Sequence, residues 1–187
     1  GASFSHTHLQ SLGLNPLKAI KGFKTLNLSW IRLGCYWNEI EKKPGKFSFS
    51  QLDPLVEFCE KNNINVVLTV GMKAPRYPEY YIPDWLLNKT VLEKQAVITK
   101  EEKELLNNTL NYLEKTISHF KNSPAIKIWQ VENEPLDPSG PNGWKINLDF
   151  LEQETSLVRK LDPKRNISIN LWGNELSKRG FYRDLVR

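Results

Sequence analysis

Hydrophobic residues recur along the chain at two spacings, and their alternation predicts the fold. Short apolar, β-branched runs occur at Trp30-Ile31-Arg32-Leu33-Gly34-Cys35, at 65–71, at 125–131 and at 166–171. Each is too short for a helix in its setting and is bounded by polar residues, so each reads as a strand. A first strand begins at 2–5. The segments between them carry helical spacing instead. Asn15-Pro16 supplies an N-cap and a proline at the first helical position, with Leu17, Ile20, Phe23 and Leu26 along one face. Ser50 with Asp53 is expected to open a second helix, whose apolar positions are Leu52, Leu55, Val56 and Cys59. Thr99 with Glu102 reads as a capping box for a long helix through Leu106, Leu110, Leu113, Ile117 and Phe120. Phe150, Leu151, Leu157, Val158 and Leu161 describe another.

Strand, helix, strand, helix, without hairpin signals, implies parallel strands joined by crossovers. Such sheets carry their chemistry at the C-terminal strand ends. Neither a G-x-G-x-x-G nor a G-x-x-x-x-G-K-[ST] loop occurs, which favours a (β/α) barrel over a doubly wound nucleotide fold. The expected class is therefore α/β, of the (β/α)8 barrel type, as a single domain over 1–187.

Composition narrows the function. The net charge of +5 arises from 26 basic residues scattered among 21 acids. With no basic block beyond pairs such as Lys42-Lys43, nucleic acid is not an expected partner. No apolar run is long enough to span a membrane. Cys35 and Cys59 are too few for a disulfide framework or a four-thiolate site, and both are expected as buried thiols. Asn-x-Ser/Thr sequons at Asn27, Asn88, Asn107 and Asn166 carry meaning only in a glycosylating secretory pathway. No leader is visible, and the expected location is secreted or cell-surface.

The densest chemical cue is Trp129-Gln130-Val131-Glu132-Asn133-Glu134-Pro135, at the C-terminal end of an expected strand. Strict alternation puts Gln130, Glu132 and Glu134 on one face and Asn133 on the other. Asn133 and Glu134 can both reach a ligand only if the strand ends or bulges there. From chemistry alone, a salt-bridge network is the competing reading. Trp37, Tyr77, Trp85 and Trp144 fall on loops of the same face, with Trp172 and Glu175 beyond the fifth strand. Aromatic faces at such positions stack on the C–H faces of sugars or simply pack the loops.

These blocks resemble the clan A glycoside hydrolases, the retaining (β/α)8 glycosidases that include cellulase-like family 5 and the family 42 β-galactosidases. WQVENEP resembles their Asn-Glu-Pro signature. WIRLGCYWNEIEKKPGKFSFSQLD is similar to their second strand and loop, with its W-x-x-x-E-x-x-x-G-x-[FY]-x-[FW] pattern, and NVVLTVGMKAPRYPEYYIPDWL to their third. The resemblance implies a β-linked glucan, mannan or galactoside as substrate, double displacement, and no metal or organic cofactor. It implies Glu134 as general acid/base, a role that calls for partial burial and a second carboxylate nearby. It further implies Asn133 on the sugar 2-hydroxyl and Arg32 orienting the second carboxylate. Trp37, Trp85, Tyr77, Trp144 and Trp172 are the sugar-binding candidates.

One departure is large. In clan A the nucleophile is a glutamate on the seventh strand, and five strands are expected here. Against a barrel of typically ~250 residues, 187 residues read as about five-eighths of one. The chain is accordingly expected to end after the fifth βα unit and to be catalytically incomplete alone. Its open edge is expected to self-associate or be completed by a C-terminal segment. Two other classes compete. A degenerate barrel can keep the cleft and bind carbohydrate without hydrolysis. A metal-dependent amidohydrolase can present His6-x-His8 after the first strand, although only His119 remains as a further histidine ligand.

Overall fold

The computed structural model describes residues 1–172. In chain order its elements are β1 (Ala2–Phe4), α1 (His6–Ser11), α2 (Pro16–Thr25), β2 (Trp30–Gly34), α3 (Trp37–Ile40) and α4 (Asp53–Lys61). There follow β3 (Asn65–Val70), α5 (Asp84–Leu87), β4 (Val97–Ile98), α6 (Lys103–Phe120) and β5 (Ile126–Val131). The last are β6 (Lys145–Ile146), α7 (Leu148–Leu161) and β7 (Asn166–Ser168). Five strands form one sheet in the order β1-β2-β3-β5-β7, and every neighbouring pair is parallel. All five strands expected from the hydrophobic pattern are therefore present, and the α/β class holds. The small parallel pair β4-β6 lies apart from the main sheet and had no sequence signal at two residues per strand.

Parallel strands covered by helices must bury both faces. The end of β3 obeys this: Leu68, Thr69 and Val70 are all buried. The helices bury one stripe each. Ile20 from α2, Leu55 and Cys59 from α4, Leu113 and Ile117 from α6 and Phe150 from α7 belong to one continuous core. Burying an aliphatic side chain of this size contributes about 1.5–3 kcal/mol before chain entropy is counted. Both cysteines are buried and unpaired, as their positions imply. Burial pushes the Cys59 thiol up to about 12 and raises that of Cys35 further.

Local signals fared unevenly. Asn15 Oδ1 accepts from the Lys18 amide at 3.0 Å and starts α2 as its sequence dictates. Ser50 does not cap α4; it bonds Ser48, and the helix begins after Leu52 without a side-chain cap. Thr99 likewise accepts from Glu101 in the turn before α6, whose first residue is Lys103. In both places a turn intervenes between the capping-type residue and the helix, so the spacing was right for a box that the backbone does not form. At the opposite end from the strand tips, Arg165 ties β5 to the α6 end by donating to the carbonyls of Ile126, Lys121 and Ser123. Among the described residues β1 pairs only with β2 and β7 only with β5, so each is an edge.

Candidate active site

The C-terminal ends of β2, β3 and β5 converge, and the chain direction changes sharply at the last of them. Glu132 N still donates to Val70 O at 2.8 Å, continuing the ladder. Glu132 and Glu134 then take positive φ values, 60° and 50°, an uncommon conformation for non-glycine residues. This irregularity breaks the strand's two-residue alternation. It is the bulge-like ending that Asn133 and Glu134 need in order to serve one site.

Four polar side chains, Arg32, Gln130, Asn133 and Asn170, meet at this corner. Arg32, on β2, donates from Nε to Ser3 Oγ at 2.9 Å and from Nη1 to Gln130 Oε1 and Asn133 Oδ1, both at 3.4 Å. Burial pulls the pKa of its guanidinium down, and the charge of Glu134 opposes that shift. Asn170, just past β7, accepts from Gln130 Nε2 at 2.9 Å and from the Glu134 amide at 3.1 Å, and donates to Asn133 Oδ1 at 3.3 Å. Both side-chain hydrogen bonds of Asn133 use its Oδ1, and its backbone N donates to Lys73 O at 2.9 Å. Asn133 itself is buried, while Glu134 is half-buried. The structure thus brings Arg32, Asn133 and Glu134 into one constellation.

A buried lysine supports the loop from below. Lys73 Nζ donates to the carbonyls of Glu134 at 2.6 Å and Asp137 at 3.0 Å, and it lies 3.6 Å from Glu79 Oε2. Its side chain is fully inaccessible; burial lowers its pKa, while Glu79, Asp137, Glu132 and Glu134 raise it. Sequence reasoning missed Lys73 and Asn170. For Asn170 a signal existed, since Asn166, Ser168 and Asn170 alternate along the last strand. For Lys73 a lone lysine in a proline-rich loop offered none.

The aromatic candidates divide. Trp37 has no exposed surface: its ring stacks on Tyr112 at 5.0 Å between centroids, and Nε1 donates to Glu41 Oε2 at 2.7 Å. Glu41 Oε1 accepts from the Gly45 amide at 2.7 Å, and Gly45 has φ +70°. The Trp37…Glu41…Gly45 spacing therefore folds the loop after β2, and Trp37 does not present a face to sugar. Trp144 is also buried, with Nε1 donating to Glu93 O at 2.8 Å. Trp85 is half-buried and donates to Glu41 O at 2.8 Å. Tyr77 and Trp172 are the exposed candidates, at 79% and 47%. Glu175 lies outside the described residues.

The His6-x-His8 pair does not converge. The two residues are the first and third of α1, and residues two apart on a helix do not share a face. His6 is buried edge-on to Tyr36, and burial lowers its pKa to about 4, so it is neutral at physiological pH. His8 is exposed. Among the described residues no group of three or more His, Cys, Asp or Glu is placed to hold a metal ion.

Five parallel strands with covering helices make part of a (β/α) barrel, and comparison with known proteins shows it to be of the clan A glycoside hydrolase type. The family model for the beta-galactosidases of glycoside hydrolase family 42 matches residues 16–139, which include Arg32, Asn133 and Glu134. The chain belongs to that family. It is also 24% identical over 151 residues to endo-1,4-beta-xylanase A of a Caldicellulosiruptor species, covering 76% of this chain and 21% of that protein. Among solved structures, a GH5_18 protein from Streptomyces cattleya in complex with GlcNAc superposes with a TM-score of 0.67 at 14% identity. It covers 83% of this chain and 39% of that one. A beta-galactosidase from Halorubrum lacusprofundi gives 0.63 at 14% identity, over 91% of this chain and 36% of that one. At such identities the structural likeness is one of fold. The chain spans about a fifth to two-fifths of the length of these proteins.

Gly71 marks where this corner tolerates no side chain. Its φ is +116°, and an added Cβ would fall 2.2 Å from Glu132 Oε1. Gly71→Ala is expected to destabilise the chain by about 1–3 kcal/mol from backbone strain alone, with displacement of Glu132 in addition. A denaturant midpoint equal to wild type would show that the corner relaxes.

Proposed function

We propose that the protein is a retaining glycosidase for β-linked glucans, mannans or galactosides, with Glu134 as general acid/base. The observation that carries this reading is the Arg32–Asn133–Glu134–Asn170 constellation at the β5 tip. Glu134 would protonate the glycosidic oxygen as the bond breaks, then deprotonate the water that releases the sugar. Asn133 Nδ2 would donate to the sugar 2-hydroxyl, a contact that strengthens as positive charge develops on the ring. Retention requires a second carboxylate about 5–5.5 Å from the first, acting as nucleophile; the reading places it on a seventh strand. Arg32 would orient that carboxylate, and Tyr77 and Trp172 would offer exposed rings to the sugar. The two carboxylates and the pocket suffice for this chemistry without a cofactor. Family 42 membership and the xylanase relative support the class, and the test is turnover of aryl β-glycosides by the full-length protein and by Glu134 variants.

The same reading extends to partners and place. No helix among the described residues is long and apolar enough to cross a membrane, and a secreted or cell-surface glycosidase is the location proposed. Two edge strands, β1 and β7, invite further strand pairing. Leu12, Leu14, Leu17 and Leu26, near β1 in sequence, are exposed at 40–67%. The 187-residue chain by itself is expected to sediment as an assembly, and to become a discrete complex when a complementing C-terminal segment is supplied. A stable, monodisperse monomer in analytical ultracentrifugation would refute this.

A further inference from the structure

Beneath the proposed catalytic loop lie two carboxyl groups that it does not use. Glu132, at the end of β5, and Glu154, on α7, are both fully buried. Each oxygen of Glu132 has a backbone donor: Met72 N reaches Oε1 at 2.7 Å and Lys73 N reaches Oε2 at 2.5 Å. Glu154 has no such support. Among the described residues no nitrogen or hydroxyl donor reaches either of its oxygens, and the carboxyl group that faces it is that of Glu132. Two carboxylates cannot hydrogen-bond without a proton between them, and an isolated buried charge is costly. The sequence prepares this contact. Glu154 sits between Phe150-Leu151 and Leu157-Val158 on the apolar stripe of α7, and Gly71 leaves room for the Glu132 carboxylate.

We propose that Glu132 is a positioning residue for Glu134, locked in place by one proton shared with Glu154. The proton resides on Glu154, which donates to Glu132; Glu132 then clamps the Met72 and Lys73 amides. That clamp holds the tip of β3 against the tip of β5. It fixes Lys73, whose ammonium holds the Glu134 carbonyl, and it fixes the positive-φ turn from which Glu134 projects. The groups facing the pair are Lys73 from the β3–α5 loop, Tyr80 from the same loop and Tyr112 from α6. Both tyrosines are held neutral by burial, and Lys73, the cation nearest the pair, also faces Glu79 at 3.6 Å and feels the charge of Asp137. Loss of the shared proton would put a second buried negative charge beside Glu132, where Lys73 is already shared with Glu79 and Asp137.

This inference rests on the glycosidase reading for its kinetic consequence only; its protonation state is read without activity. Infrared spectra of the 187-residue chain at pH 7 are expected to show the carbonyl stretch of a protonated carboxylic acid, absent in Glu154→Gln. The Gln amide donates the same hydrogen bond without a titratable proton. Burial holds the pair's proton above the ordinary carboxylate range, so the folded chain keeps it while the unfolded chain loses it near pH ~4.3. The pair's stabilising contribution is thus complete below that pH and declines as pH rises toward the folded pKa. Thermal midpoints of Glu154→Gln are expected to fall less steeply than wild type between pH 5 and pH 8, working values set by this window. In the full-length protein, Glu154→Leu is expected to lower kcat about 10²-fold, as a misplaced catalytic group does, with KM little changed, while Glu154→Gln keeps most of kcat. Absence of the infrared band at pH 7, or a Glu154→Leu enzyme with wild-type kcat, would overturn the proposal. A fully active Glu134→Gln enzyme would instead strike the glycosidase reading, leaving the band and the thermal profile as they are.

Discussion

Glu134→Ala in the full-length protein is expected to lower kcat on β-glycosides with poor leaving groups by about 10²–10⁴-fold, with a much smaller loss of kcat/KM on dinitrophenyl glycosides. The difference follows from what the proposed role asks of the carboxyl in each half of the reaction. An alkoxide leaving group needs a proton as the bond breaks, and without Glu134 none is delivered. A dinitrophenolate leaves without help, so the first step survives. The second step still needs a base to deprotonate water, so the covalent intermediate accumulates and product appears as a burst. A small anion such as azide, which requires no deprotonation, is expected to restore turnover. Glu134 is half-buried, and its charge acts on the Arg32 guanidinium, which supports the proposed role. Equal losses for good and poor leaving groups, without a burst, would argue that Glu134 organises the pocket and transfers no proton.

The parallel architecture was legible because β1, β2, β3 and β5 are each followed by helical segments whose apolar residues recur at helical spacing. Asn65–Val70 read as a strand from its β-branched content, and Trp30–Gly34 from its shortness and polar bounds. Helix starts were less legible. A capping pattern such as Ser50…Asp53 specifies which bond is possible, yet the neighbouring turn decides whether the backbone reaches it. The long-range partners of α7 were legible in one respect only. A glutamate on its buried stripe was visible in the sequence, but nothing there showed that Glu132 would meet it.

The candidate site showed in the sequence as the polar pair Asn133 and Glu134 ending an apolar strand, and the backbone departs from alternation there through positive φ at Glu132 and Glu134. Its supports were not. Lys73, Asn170 and Glu154 come from three other elements, and only the packing of those elements brings them together. The aromatics show the converse failure. A tryptophan directly after a strand is placed equally well for a sugar or for a core, and the choice depends on whether a neighbour such as Tyr112 fills its face.

Trp37→Ala is expected to cost about 3–5 kcal/mol of stability, the range for removing a large aromatic from a packed core. For a chain of this length that corresponds to a thermal midpoint lowered by roughly 6–20 °C. Two losses combine. The indole stacked on Tyr112 leaves a cavity between the β2–α4 loop and α6, and Glu41 Oε2 loses its donor in a buried setting. Trp37→Phe separates them: it keeps an aromatic face against Tyr112 and removes the indole N–H alone, at about 1–3 kcal/mol for the unsatisfied carboxylate oxygen. Were Trp37 a sugar platform instead, both variants would raise KM for oligosaccharides and leave the melting temperature near wild type. Its complete burial argues for the first outcome, because a ring with no accessible face can bind a ligand only after the loop around it has opened.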